Sequence, residues 1–129
     1  LIIEHDLIFS RRRVGFEFTD SERNETPPVR HPLVLTNPVT GRKSVLVGAH
    51  AARIVGWDET RGRALIDELE ATATSSPNTF AHDWCEGDLV IWDNRAALHR
   101  ATPYDNARHR RLMQRTTVSD PDAFVPGQT

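Results

Sequence analysis

Apolar and polar residues alternate in the first part of the chain as they do in β-strands. Alternate apolar side chains from Val14 to Phe18 predict a strand within residues 7–18, because residues two apart in a strand share a face. Two short apolar runs, residues 33–35 and 44–47, flank polar residues that include proline and glycine. This arrangement predicts a β-hairpin.

A helical period follows the hairpin. Apolar residues recur at helical spacing while the positions between them are polar; they are Ala64, Leu65, Ile66, Leu69 and Ala73. With Asp58 as a capping residue, the pattern predicts a helix over residues 58–73. Farther on, residues 88–93 are apolar between polar ends, which is typical of a strand covered on both faces, and a last strand is expected over residues 110–118.

Together these elements predict a mainly β fold with a helical insertion, either a β-sandwich or a jelly roll. The polar, proline-bearing residues 19–32 are expected to form a surface loop rather than a linker between domains. A chain of 129 residues suits one domain. No internal repeat interrupts it.

Composition narrows the function classes. Sixteen Lys and Arg against eighteen Asp and Glu give a net charge of −2, which argues against general nucleic-acid binding. The single cysteine, Cys85, cannot form an internal disulfide, so a reducing, cytoplasmic compartment is expected. The apolar start at Leu1 is too short for an export signal or a membrane span.

One segment is positively charged, unlike the chain as a whole. Residues 95–115 contain six arginines and one acid, Asp105, which suits anionic ligands. In an extended strand, Arg111 and Arg115 point to one face and Arg110 points to the other. From charge alone, a solvated basic strand or a phosphate-contacting patch explains the segment better than a ligand site does.

The order of motifs in this segment is more specific than its charge. A Trp-Asp-Asn-Arg turn at residues 92–95 leads to His99, and Arg111 and Arg115 follow on the next predicted strand. The segment resembles the taurine/2,4-dichlorophenoxyacetate dioxygenase family, whose members require iron(II) and 2-oxoglutarate. The resemblance implies that His99 binds iron, Arg111 binds the far carboxylate of 2-oxoglutarate and Arg115 binds the acidic group of the substrate.

The resemblance continues upstream. Gly-Arg-Lys at residues 41–43 and Gly-Ala-His-Ala at residues 48–51 are similar to the family members that cleave aryloxyacetates. The resemblance implies that His50 lies near an aryloxyalkanoate such as 2,4-dichlorophenoxyacetate. Relatives often carry histidine where this chain has Asn37, another implied substrate contact, and asparagine can donate a hydrogen bond but cannot become cationic. Without the resemblance, Asn37 simply begins a turn.

Two of the three iron ligands are missing from the sequence. The family's facial triad combines two histidines with one carboxylate, and the first two ligands come as His-X-Asp or His-X-Glu. None of the histidines has an acid two residues later; they are His5, His31, His50, His82, His99 and His109. Since the chain also begins with Leu1 rather than methionine, residues 1–129 are expected to be the C-terminal part of one jelly-roll domain, a partial double-stranded β-helix.

The resemblance also implies a reaction. Dioxygen and 2-oxoglutarate would be consumed, succinate and carbon dioxide released, and the substrate hydroxylated beside its ether oxygen, giving a phenol and glyoxylate. The isolated chain is expected to bind iron weakly and to show little or no turnover. Two alternatives stay open: a non-catalytic anion-binding module, and an assembly domain whose exposed sheet edges are covered by homo-oligomerisation.

Overall fold

The computed structural model describes residues 1–118. The chain divides into two compact units, Leu1–Leu98 and His99–Thr129, which are described separately. Within the described residues, no helix combines the length and the apolar character needed to cross a membrane.

Every helix and strand found among residues 1–118 lies in the first unit. In chain order, the strands are β1 Ile2–His5, β2 Val29–Pro32, β3 Val34–Thr36, β4 Lys43–Val45 and β5 Ala51–Ile54. The helices are α1 Leu7–Arg12, α2 Asp20–Glu25 and α3 Glu59–Ala73, and a short 3-10 helix spans Ser76–Asn78. Strands β2, β1 and β5 form an antiparallel sheet in that order, and β3 pairs with β4 in a hairpin.

The core lies between the three-stranded sheet and α3. Its buried apolar residues are Ile3, Leu33, Val47, Ala51, Ile54 and Ile66. Helix α3 packs on β5 at Gly62, where a Cβ atom would lie 3.5 Å from the backbone nitrogen of Ile54, an ordinary van der Waals distance. Arg63 of the same helix donates a hydrogen bond from Nη1 to the carbonyl oxygen of Ala51, at 2.8 Å. Helix α3 therefore fixes β5, the strand that follows His50.

Two local predictions are confirmed. The predicted helix is α3, and Asp58 caps it by accepting a hydrogen bond from the backbone N–H of Arg61 at 3.1 Å. The predicted hairpin is formed by β3 and β4, with Val34 opposite Val45 in register. Both elements depend on neighbouring residues, which explains why the sequence pattern finds them.

The strand predicted over residues 7–18 is wrong. Asp6 ends β1 and caps α1, because its Oδ1 accepts hydrogen bonds from the backbone N–H groups of Ile8 and Phe9 at 2.7 and 3.2 Å. The loop predicted over residues 19–32 is also too simple. Thr19 and Glu22 form a capping box that starts α2, and β2 follows before the hairpin.

The strands predicted over residues 88–93 and 110–118 are wrong too. From residue 80 to residue 118, the structure has turns and irregular segments but no helix or strand. Large apolar side chains there are exposed, among them Phe80, Leu89, Ile91, Leu112 and Val118. A strand needs a hydrogen-bonded partner, and no described segment pairs with these residues. The mainly β character with short strands, turns and one long helix is confirmed, and the jelly roll itself stays a prediction.

Candidate functional site

His50 lies in the turn that connects the hairpin to β5. Its carbonyl oxygen accepts a hydrogen bond from the backbone N–H of Asp6 at 2.8 Å, and its ring Nδ1 lies 2.7 Å from Oγ of Ser10. Ser10 is buried while His50 is exposed. The histidine ring is therefore anchored on one side to α1 and accessible on the other.

Asn37 organises the β3–β4 turn. Its side-chain oxygen accepts hydrogen bonds from the backbone N–H groups of Val39 and Thr40, each at 2.9 Å. Its carbonyl oxygen accepts from the N–H of Gly41, whose positive φ of 68° favours glycine. The turn interpretation of Asn37 is thus correct, and its role toward a substrate stays a prediction. With Oδ1 engaged in the turn, the side-chain NH₂ is the group that could donate to a ligand.

The Trp-Asp-Asn-Arg segment forms a compact turn. The Asp93 carboxylate accepts from the backbone N–H and from Nε of Arg95 at 2.9 and 3.0 Å, and its carbonyl oxygen accepts from Ala96 and Ala97. Nε1 of Trp92 donates to Oδ1 of Asn94 at 2.8 Å. These side chains brace the turn. The side-chain hydrogen bond from Arg95, followed by its backbone N–H, lowers the pKa of Asp93.

The turn is also tied to the hairpin. Oγ of Ser44, on β4, donates to the carbonyl oxygen of Arg95 at 2.7 Å. Near the start of the next turn, a Cβ atom on Gly48 would lie 3.3 Å from Cδ2 of Leu98. Arg95 and Leu98, which precede His99 in the sequence, therefore contact β4 and the turn that contains His50.

The remaining predicted site residues, His99, Arg111 and Arg115, lie in the second unit and are exposed. Cζ of Arg111 lies 5.6 Å from the centroid of the Tyr104 ring, a cation–π distance. Because residues 110–118 do not form a strand in the structure, the shared face of Arg111 and Arg115 stays a prediction. Asp105 closes the intervening turn by accepting from the N–H of Ala107 at 3.1 Å.

The described residues do not fit a complete iron site. Within residues 1–118, no group of three or more His, Cys, Asp or Glu side chains could hold a metal ion. His99 would need at least two further protein ligands to complete a facial triad. Residues 1–118 alone therefore do not supply a facial triad.

Three features of the first unit had no signal in the sequence. Ser10 contacts His50 across forty positions, and Glu4 lies between two arginines on the sheet. His5 and His31 lie edge to face with ring centroids 5.7 Å apart, and Nε2 of His5 is buried with no hydrogen-bond partner among residues 1–118. Burial, followed by the charge of His31, lowers the pKa of His5.

Comparisons with known proteins cover nearly the whole chain. The model of the taurine catabolism dioxygenase TauD, TfdA family matches residues 2–117. The chain is 42% identical over 118 residues to the alpha-ketoglutarate-dependent 2,4-dichlorophenoxyacetate dioxygenase of Cupriavidus pinatubonensis, covering 91% of this chain and 41% of that protein. It is 36% identical over 124 residues to the (S)-phenoxypropionate/alpha-ketoglutarate-dioxygenase of Sphingobium herbicidovorans, covering 91% and 43%.

A solved structure is also similar. AAD-2 in complex with Mn(II) and N-oxalylglycine superposes with a TM-score of 0.79 at 40% sequence identity, covering 84% of this chain and 43% of that one. The chain spans about two fifths of the length of the curated relatives it matches.

Proposed function

Because this chain belongs to the taurine catabolism dioxygenase TauD, TfdA family, we propose that it is part of an iron(II)- and 2-oxoglutarate-dependent dioxygenase. Its substrate would be a small anion, an aryloxyalkanoate such as 2,4-dichlorophenoxyacetate, which is cleaved to a phenol and glyoxylate. The observation that carries this proposal is the 42% identity to a 2,4-dichlorophenoxyacetate dioxygenase across 91% of the chain. The phenoxypropionate enzyme supports the same substrate class.

We assign the anions of the reaction to two arginines. Arg111 would bind the far carboxylate of 2-oxoglutarate, and Arg115 would bind the acidic group of the substrate. A guanidinium forms paired hydrogen bonds with a carboxylate and keeps its charge when water is excluded. The Tyr104 ring, 5.6 Å from Cζ of Arg111, would restrict the orientation of that guanidinium.

On this proposal, residues 1–129 form the C-terminal part of one jelly-roll domain. His99 would supply one iron ligand, and polypeptide outside these residues would supply the other two. Exposed apolar side chains such as Leu89 and Ile91 support the proposal, because further strands would cover them. Bound iron would supply the redox chemistry with dioxygen.

His50 and Asn37 would contact the substrate in different ways. His50 has an exposed ring anchored through Nδ1, so Nε2 is the atom available to a ligand. Asn37 uses Oδ1 within its own turn, so only its NH₂ group could reach a carboxylate or ether oxygen. The Asn37 amide would donate to an acidic, oxygen-rich substrate, and the His50 ring would do so while both of its nitrogens carry protons.

The test is turnover by the complete protein that contains this chain. We expect succinate and a phenol to form in equal amounts when iron(II), 2-oxoglutarate, dioxygen and 2,4-dichlorophenoxyacetate are supplied. Omitting either iron or the aryloxyacetate should abolish succinate formation above background. Carboxylate binding without succinate formation under any of these conditions would contradict the proposal and favour a non-catalytic anion-binding module.

A further inference from the structure

Two hydrogen bonds attach His50 to the segment that starts α1. The backbone N–H of Asp6 donates to the carbonyl oxygen of His50 at 2.8 Å, and Oγ of Ser10 lies 2.7 Å from Nδ1 of its ring. Asp6 also caps α1, so the helix start and the histidine are held by the same residue. Main chain and ring of His50 are both fixed to one short helix.

The hydroxyl group of Ser10 has a second partner that decides where the protons lie. Oγ of Ser10 is 2.8 Å from the carbonyl oxygen of Leu7, which can only accept a hydrogen bond. A hydroxyl carries one proton, so Ser10 donates it to Leu7 and accepts from His50. Nδ1 of His50 must then carry a proton, and in the neutral ring Nε2 is left as an acceptor.

We propose that Ser10 is a positioning residue, which holds the His50 ring with Nδ1 protonated and presents Nε2 to the carboxylate of the substrate. Since a carboxylate only accepts hydrogen bonds, it is bound by the doubly protonated ring and released by the neutral one. This inference rests on the function proposed above, and it adds a residue and a protonation state to the substrate site.

Titratable groups lie on the elements next to His50. His5 on β1 and His31 on β2 form an adjacent histidine pair, and burial of His5 lowers its pKa, so that it stays neutral and does not repel His50 near neutral pH. The acidic residues on these elements are Asp6, at the start of α1, and Glu70 of α3, which accepts a hydrogen bond from the N–H of Gly48 at 3.3 Å.

The experiment has two readouts on the complete protein. Nitrogen chemical shifts of His50 measured by NMR give the tautomer directly, and steady-state kinetics with 2,4-dichlorophenoxyacetate give KM and kcat. We expect the Nδ1–H form of the neutral ring in the wild-type protein.

Ser10→Ala removes the acceptor for Nδ1–H. We expect KM to rise roughly 3- to 10-fold, as for the loss of one hydrogen bond, with a smaller change in kcat. The NMR signature of a single Nδ1–H tautomer should also be lost, because the neutral ring can then carry its proton on either nitrogen. Ser10→Thr keeps a hydroxyl group and should restore both the wild-type KM and the tautomer. Ser21→Ala, an exposed serine of α2, is the control and should change neither parameter.

An Nε2–H tautomer in the wild-type protein would overturn the inference, even if every Ser10 variant failed to fold. A Ser10→Ala enzyme with the wild-type KM would also overturn the inference, provided that His50→Ala raises KM. Either result leaves the proposed function standing if succinate forms with the aryloxyacetate. Absence of turnover would instead contradict the proposed function and with it the substrate contact.

Discussion

Glu4 accepts two parallel hydrogen bonds from Arg53, Nε to Oε1 at 2.6 Å and Nη2 to Oε2 at 3.0 Å. Nε of Arg30 donates to Oε2 from the opposite side at 3.0 Å. The register places both arginines directly across from Glu4, on the two strands that flank β1. Glu4 is only 8% exposed, so one carboxylate joins all three strands of the sheet that carries β5.

Neutralising Glu4 should therefore destabilise the sheet. We expect Glu4→Gln to lower the free energy of unfolding by about 1–2 kcal/mol at neutral pH, because charge-assisted hydrogen bonds become neutral ones and the arginines remain half exposed. Urea unfolding of the complete protein measures this, with exposed Glu17→Gln as the control. Equal unfolding midpoints for the two variants would show that the carboxylate is not needed.

The same carboxylate predicts a pH dependence. The hydrogen bond from Arg53 is the largest effect on Glu4, and despite the opposing effect of burial its pKa is lowered. Its contribution to stability is then complete above the unfolded-state pKa, about 4.3, and is lost as pH falls through the lower folded-state value. The difference in unfolding free energy between wild type and Glu4→Gln should shrink over that acidic range.

Buried His5 should also make the stability depend on pH, in a range above that of Glu4. Because burial lowers its pKa, the unfolded chain takes up a proton below about pH 6.5 that the folded protein resists. Stability should therefore fall from about pH 6.5 downward until the folded-state pKa is reached. We expect His5→Gln to reduce the loss between about pH 7 and pH 5.5 in urea unfolding, while exposed His109→Gln leaves it intact. An equal loss in wild type and His5→Gln would contradict this explanation.

Gly62 offers a stabilising substitution. A Cβ atom there would meet the nitrogen and Cβ of Ile54 at 3.5 and 3.6 Å, which are ordinary van der Waals distances. Alanine is favoured over glycine in a helix interior by about 1 kcal/mol, so we expect Gly62→Ala to raise the free energy of unfolding by roughly 0.5–1 kcal/mol. Ala64→Gly at an exposed position of α3 calibrates the opposite change. A destabilised Gly62→Ala variant would mean that α3 and β5 need the glycine.

Sequence patterns predict this fold where the stabilising contacts are local. Helix α3 follows from its apolar spacing and from Asp58, and the hairpin follows from the turn that Asn37 organises. Residues 7–18 are misassigned because the alternation at Val14 and Phe18 outweighs the cap at Asp6. The strands expected near Ile91 fail for another reason, since strand formation depends on a partner that residues 1–118 do not provide.

The candidate site, too, is predicted from the sequence only where its contacts are local. Family motifs identify His50 and Arg111 as candidates, and the bracing contacts of Asp93 follow from short-range chemistry. Nothing in the sequence indicates that Ser10 meets His50, because forty residues separate them and the contact depends on how α1 packs beside β5. The orientation of a predicted substrate-binding side chain such as His50 is set by tertiary structure.

The most direct test of the proposed site is to compare the affinity for 2-oxoglutarate of the Arg111→Ala and Arg110→Ala variants of the complete protein. Losing a charged hydrogen-bonding partner of the carboxylate should weaken binding at least about 10-fold in Arg111→Ala. Arg110 has the same charge and adjacent position, so Arg110→Ala should bind nearly as well as wild type. Wild-type affinity in Arg111→Ala, measured by anaerobic titration with iron(II) present, would contradict the proposed site.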